Sequence, residues 1–157
     1  MPHIVNPSIA YTTGLLHDIG KLVLNQFLAP EPQAKLEHVI EERGHAGIAV
    51  EKSIFGTDHA EVGALLLRKW SLPKEIHEAV KTHHSVQVSN QSQLSILVGL
   101  ADSIAHAAAS TPGSIPLENG NSLIKALNVE QSKYEEILGQ TAENLAQIEA
   151  VTQVAKD

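Results

Sequence analysis

Apolar residues recur along this chain at intervals of three and four, the spacing that lines one face of an α-helix, and nowhere alternate with polar residues between hairpin turns. The pattern predicts an all-α protein. Ser8 is expected to cap a helix running to about Asp18, with a break at Gly20 and a short helix over Lys21–Leu28 before Pro30 and Pro32. Leu36, Val39 and Ile40 predict a helix over Gln33–Arg43, stopped by Gly44. A further helix, Ala46–Phe55, should end at Gly56, and Asp58 with Glu61 forms an acidic variant of the capping box for the next. In that next helix Val62, Leu65, Leu66 and Trp70 predict an inward-facing stripe. Ser71 is expected to cap a helix with Pro73 in its first turn, Ile76, Ala79 and Val80 toward the core, and His83 and His84 at its end. Gln91–Ala109 is nearly all apolar and should be central and buried.

The segment Ser110–Gly120, rich in Ser, Pro, Gly and Asn, predicts a surface loop. A short helix around Ser122–Leu127 and a long one from about Glu130 to Val154 follow, the latter with Tyr134, Ile137, Leu138, Leu145, Ile148 and Val151 along one side. This divides the chain into a helical core, 1–110, and a tail, 111–157, that packs on the core or on a partner. A homodimer through the C-terminal helix is one such pairing. There is no internal repeat and no low-complexity segment.

Composition sharpens this. At 43% hydrophobic and 18% charged the chain is ordinary for a globular protein, which argues against global disorder. The aromatic residues are Tyr11, Phe27, Phe55, Trp70 and Tyr134, so the core must be built from Leu, Ile, Val and Ala, as packed helices are. A net charge of -7 disfavours a phosphate-tracking surface, and direct nucleic-acid binding is not expected. Without cysteine there is neither a disulfide framework nor a thiolate metal site, which fits a reducing cytoplasm. The longest apolar runs, such as Ser95–Ala101, fall far short of the ~20 residues of a membrane span, and the start resembles no signal peptide. A cytoplasmic protein without a membrane partner is the expectation.

The chemistry-bearing residues are histidines and acids in apolar settings. His17 and Asp18 stand side by side in Leu15-Leu16-His17-Asp18-Ile19-Gly20-Lys21, at the end of an apolar helix. Such groups need partners, since burying an unpaired charge is costly. Metal is one partner; an Asp–His hydrogen bond or a contact between imidazolium and a helix C-terminus is another. His59 lies in the first turn of a helix, and His83 and His84, which diverge by about 100° on a helix, close the next. Asp102 interrupts the run Leu94–Ala101, with His106 one turn on as a metal-free partner. Imidazoles and carboxylates without thiolate suit Mn, Fe, Mg or Ni, or a catalytic Zn. Two ions bridged by Asp18 would activate a water and polarise a phosphoryl group. Lys21, three residues after Asp18, either steadies a phosphate or is a solvated lysine. His3, His38, His45 and His77 read as surface residues.

The run Gly14-Leu15-Leu16-His17-Asp18-Ile19-Gly20-Lys21-Leu22 resembles the signature of the HD superfamily, which includes metal-dependent phosphohydrolases. Phe55-Gly56-Thr57-Asp58-His59-Ala60-Glu61-Val62-Gly63-Ala64-Leu65-Leu66, with Trp70, Leu72-Pro73, Ile76 and His83-His84, resembles its HDOD (HD-related output domain) branch. Together these stretches cover about residues 10–105. The resemblance implies an HD-like compact helical bundle with an additional C-terminal helix. It implies His17 and Asp18 as the namesake metal dyad, His59, His83 and His84 as further ligands, Asp102 as the closing aspartate, and Asp18 and Lys21 as the catalytic pair. HDOD domains are mostly regulatory modules of bacterial signalling proteins, and many have lost ligands. A signalling module that meets other signalling domains or proteins is therefore expected, with a divalent metal (Mn, Fe, Mg, Ni or Zn) or none if the site is degenerate. The alternative is a metal-dependent phosphohydrolase acting on a phosphorylated small molecule or nucleotide; a purely structural helical domain is the third reading.

Two features depart from the catalytic pattern. HD phosphohydrolases carry an earlier histidine one helix and loop before the dyad, and His3 would lie only ~21 Å away along a helix, at 1.5 Å per residue. The chain is thus expected to be the later part of a larger HDOD region. Ser85-Val86-Gln87 follows His84 where cyclic-di-GMP phosphodiesterases carry Gly-Tyr-Pro, which disfavours that branch.

Overall fold

The computed structural model describes residues 5–27, 47–85, 88–109 and 117–154. Among them every regular element is helical, as the apolar spacing predicts, and there is no strand. The chain divides into two compact units, Met1–His84 and Ser85–Asp157. The predicted helix Gln33–Arg43, with Gly44, Pro30 and Pro32, lies outside the described residues.

In the first unit, α1 spans Pro7–Leu16 and α2 Ile19–Phe27. Asn6, rather than Ser8, caps α1: its side chain accepts the Ser8 N–H at 2.9 Å, and Pro7 takes the first-turn position that needs no N–H partner. The break between the helices falls at His17 and Asp18, so Gly20 is not the breaker. It lies in the first turn of α2 and is buried there, because α2 packs against α4 (His59–Lys69) so closely that a Cβ on Gly20 would overlap the His59 carbonyl oxygen.

Between them, α3 spans Gly47–Phe55 and ends at Gly56, whose φ of +69° is the left-handed conformation glycine adopts without strain. Asp58 caps α4 by accepting the Glu61 N–H at 2.8 Å, whereas the Glu61 side chain bonds the Thr57 hydroxyl instead of closing a reciprocal box. The inward face of α4 is Ala60, Gly63, Ala64 and Leu67. Leu65 and Trp70, expected inside, are 56% and 54% exposed. Small side chains win the inner positions because the backbones must come close at Gly20 and Gly63.

Helix α5 spans Lys74–Thr82, with Ile76, Ala79 and Val80 buried as predicted. Ser71 does not cap it. With φ of 60° it closes α4 in a Schellman motif, donating its N–H to Arg68 O while Leu72 donates to Leu67 O. Leu67, Ile76 and Val80 form the core, flanked by Ile9, Leu16, Ile19 and Leu72.

The second unit holds a short 3-10 turn, Val88–Asn90, and helices α6 (Gln93–Ala109), α7 (Leu117–Leu127) and α8 (Gln131–Val154). Helix α6 packs on both α7 and α8. Its Ile96, Leu100 and Ile104 meet Leu123, Ile124 and Tyr134 in a core flanked by Val88, Leu127, Val129, Ile137 and Leu138. Residues 117–120, expected in a loop, are helical. Burial of Leu123 and Ile124 outweighs the poor helix propensity of Asn119 and Gly120, since packing routinely overrides such preferences. Residues 110–116 of that predicted loop lie outside the described residues. Asn128, φ 53°, ends α7 in the same Schellman geometry as Ser71. The apolar side of α8 is packed at Tyr134, Ile137 and Leu138, while Ile148 and Val151 are exposed. Among the described residues no helix is long and apolar enough to cross a membrane.

Candidate metal centre

The site is built at helix ends in the first unit. His17 and Asp18 join α1 to α2, His59 opens α4, and His83 and His84 follow α5. His17 Nδ1 lies 2.7 Å from the Gly14 carbonyl and His83 Nδ1 2.6 Å from that of Val80. A carbonyl only accepts, so each of these nitrogens carries its proton, and in the neutral form of each ring Nε2 holds the lone pair. Both carbonyls come from last helical turns, where main-chain acceptors lack helical partners. His59 Nδ1 instead faces the Glu51 carboxylate, at 2.7 and 2.9 Å from its two oxygens.

One donor atom from each of Asp18, His59, His83 and His84 lies within 4.8 Å of all the others. His59 Nε2 is 3.0 Å from His84 Nε2 and 3.2 Å from Asp18 Oδ1. The His83 and His84 ring centroids are 3.9 Å apart, and His17 meets His83 edge-on at 5.1 Å. Two donors about 2.1 Å from one ion, at right angles, stand about 3 Å apart. The separations at His59 match that edge length, and three imidazoles with one carboxylate form a donor set that Mn, Fe, Ni or Zn accepts. The residues could therefore hold a divalent ion.

His17 Nε2 is 3.4 Å and Lys21 Nζ 2.7 Å from Asp18 Oδ2, so Lys21 is an ion-pair partner of Asp18 while its side chain stays 37% exposed. Asp102 belongs to the second unit, on α6. It is buried, and His106 Nε2 stands 3.4 Å from its Oδ1, the pairing expected from their spacing. His77, expected at the surface, has a side chain only 13% exposed, beside Glu78 and in a groove lined also by Ala64 and Leu65 of α4. His3, His38 and His45 lie outside the described residues.

Burial opposes charge on both central groups, and the partners outweigh it. Burial disfavours the His59 imidazolium, but hydrogen bonds to Asp18 and Glu51 raise its pKa from 6.5 to about 9. Burial likewise disfavours ionised Asp18, but the bonds from His59 and Lys21, with the nearby Lys21 and His17 charges, hold its pKa well below the usual carboxylate range. A raised imidazole pKa means that the folded protein binds the proton more tightly than the unfolded chain does. The stability this contributes is fully present below 6.5 and is lost as pH climbs through about 9. Asp18 acts in the opposite sense, its contribution being present above 3.8 and lost as pH falls. Urea midpoints of the chelator-treated protein are therefore expected to fall between pH 7 and 10. A divalent ion in place of the proton should remove much of that alkaline decline.

Glu51 is the participant that the sequence pattern leaves unmarked. It belongs to no motif, and a lone glutamate in Gly47–Phe55 reads as solvated. The signal lay in its register, since Ile48, Glu51 and Phe55 share one helical face. Glu51 is 2% exposed.

A helical domain that gathers imidazoles and a carboxylate at its helix ends is of the kind found in the HD superfamily. The HDOD domain family matches residues 3–86, more than half of the chain, and the chain belongs to that family. Among curated proteins it is 31% identical over 77 residues to an uncharacterized protein of Treponema pallidum (strain Nichols), a match that covers 49% of this chain and 15% of that protein. It is 32% identical over 109 residues to Ribonuclease Y of Alkaliphilus metalliredigens (69% of this chain, 16% of that protein). It is also 32% identical over 106 residues to Ribonuclease Y of Deinococcus radiodurans (68% and 16%). The chain thus spans less than a fifth of the length of these relatives. No solved structure matches it.

Proposed function

We propose that this chain is a regulatory signalling module that binds a divalent metal through Asp18, His59, His83 and His84. The observation that carries the reading is the convergence of their donor atoms within 4.8 Å from three separate stretches of chain. Chance arrangements of surface histidines do not bury His59 and His83 to 3% exposure with Nδ1 of each held by an acceptor. Membership of the HDOD family, whose resemblance implies a regulatory module, supports a chain that works beside other signalling domains or proteins.

Lys21 favours a second reading, a metal-dependent phosphohydrolase. Its ammonium lies against Asp18, whose side chain is 34% exposed, so a phosphate reaching the cluster would meet a cation there. Two relatives are named as ribonucleases, enzymes of phosphodiester chemistry. When bound, a divalent ion would polarise a phosphoryl oxygen and activate water. Elemental analysis of protein purified without chelator, with a phosphatase and phosphodiesterase screen in Mn and Mg, separates the readings. About one ion per chain without turnover is expected for the module, and turnover that disappears with chelator would establish the hydrolase. A protein that takes up no divalent ion at all would sink both.

A further inference from the structure

We infer that Glu51 is a positioning residue that holds His59 with Nδ1 protonated and Nε2 aimed at Asp18 and His84. The inference rests on the metal reading for its consequence, but its geometry is independent of it. His17 and His83 each end a helix, where carbonyls three residues back are left over and can hold an imidazole N–H. His59 opens one. The first turn of a helix offers surplus N–H groups, and the carbonyls of α4 point away toward its far end, so its own helix offers no acceptor that could orient the ring. Another element must supply one, and α3 does.

Glu51 meets both needs of His59 at once. Its Oε2 accepts the surplus backbone N–H at 2.8 Å and lies 2.7 Å from Nδ1, while Oε1 lies 2.9 Å from Nδ1. The two side chains are 2% and 3% exposed, so neither bond competes with solvent. A carboxylate acceptor brings a negative charge that a carbonyl lacks, and it increases the electron-donating power of the opposite ring nitrogen. Two contacts to Nδ1 and one to the backbone N–H thereby fix the direction of the His59 ring.

The test compares wild type with Glu51→Gln and Glu51→Asp in the full chain, using Mn titration followed by EPR and the exchangeable ring protons seen by NMR. Wild type should show a downfield His59 Nδ1–H signal, with or without a diamagnetic ion such as Zn, identified by its loss in His59→Gln. Glu51→Gln, nearly equal in shape, is expected to weaken Mn binding by about 10- to 100-fold with helical circular dichroism retained. Its Nδ1–H signal should move upfield or exchange away, and Glu51→Asp should recover part of the shift. Unchanged Mn affinity in Glu51→Gln, or an undisturbed Nδ1–H signal, overturns the inference. If Glu51→Gln does not fold, a missing downfield proton in wild type overturns it equally. Failure of wild type to bind Mn counts against the metal reading, and Glu51 then stands or falls on the proton signal.

Discussion

Gly20→Ala is expected to destabilise the first unit by at least ~3 kcal/mol, the upper end of what inserting a methyl group into packed structure costs. The added Cβ would overlap the His59 carbonyl oxygen and lie 2.7 Å from both the carbonyl carbon of His59 and the backbone nitrogen of Gly63. All three are main-chain atoms, so no rotamer change relieves the clash and α2 must move away from α4. Asp18 immediately precedes α2 and His59 opens α4, so the same movement separates two donors of the cluster. Gly63→Ala is the control: its nearest neighbours stand at 3.2 to 3.4 Å and two of the three are side-chain methyls, so a much smaller loss is expected. Urea denaturation of the pair measures the difference, and equal losses would refute the close-approach account.

The second large effect is on metal content. Asp18→Ala and His84→Ala should each reduce bound ion from about one per chain to near zero, with affinity falling more than the ~100-fold that loss of a supporting hydrogen bond can reach. These two positions suit the experiment because both are only partly buried. His59→Ala would instead strand the buried Glu51 carboxylate and confound metal loss with unfolding. Inductively coupled plasma analysis alongside circular dichroism reads both quantities. Full metal occupancy in either variant would remove that residue from the proposed ligand set.

Much of this arrangement was legible in the chain itself. Gly56 and Asp58 marked a helix end and a helix start because their chemistry is local: one permits positive φ, the other accepts an N–H three residues on. His17, Asp18, His59, His83 and His84 were legible because they stand at the predicted ends of helices, His17 and Asp18 at the end of an apolar one. The inward face of α4 was not, since a stripe of large apolar residues at Leu65 and Trp70 outweighs Ala60 and Gly63 in any count of hydrophobicity. What decides that face is how near another backbone comes, which no local pattern encodes. Gly20 was misread as a breaker for the same reason, and Glu51 was silent because its partner lies on a different helix.

Every donor of the cluster sits where a helix begins or stops, and none occupies the interior stripe formed by Leu67, Ile76 and Val80. The packing that holds these helices and the groups that could hold an ion are therefore carried by different positions. Under the metal reading, exchanging His84 for a non-coordinating residue is expected to leave that stripe intact and remove a ligand, whereas exchanging Asp18 also breaks its ion pair with Lys21. On that reading, versions of this architecture that bind an ion and versions that do not stand a single substitution at His84 apart.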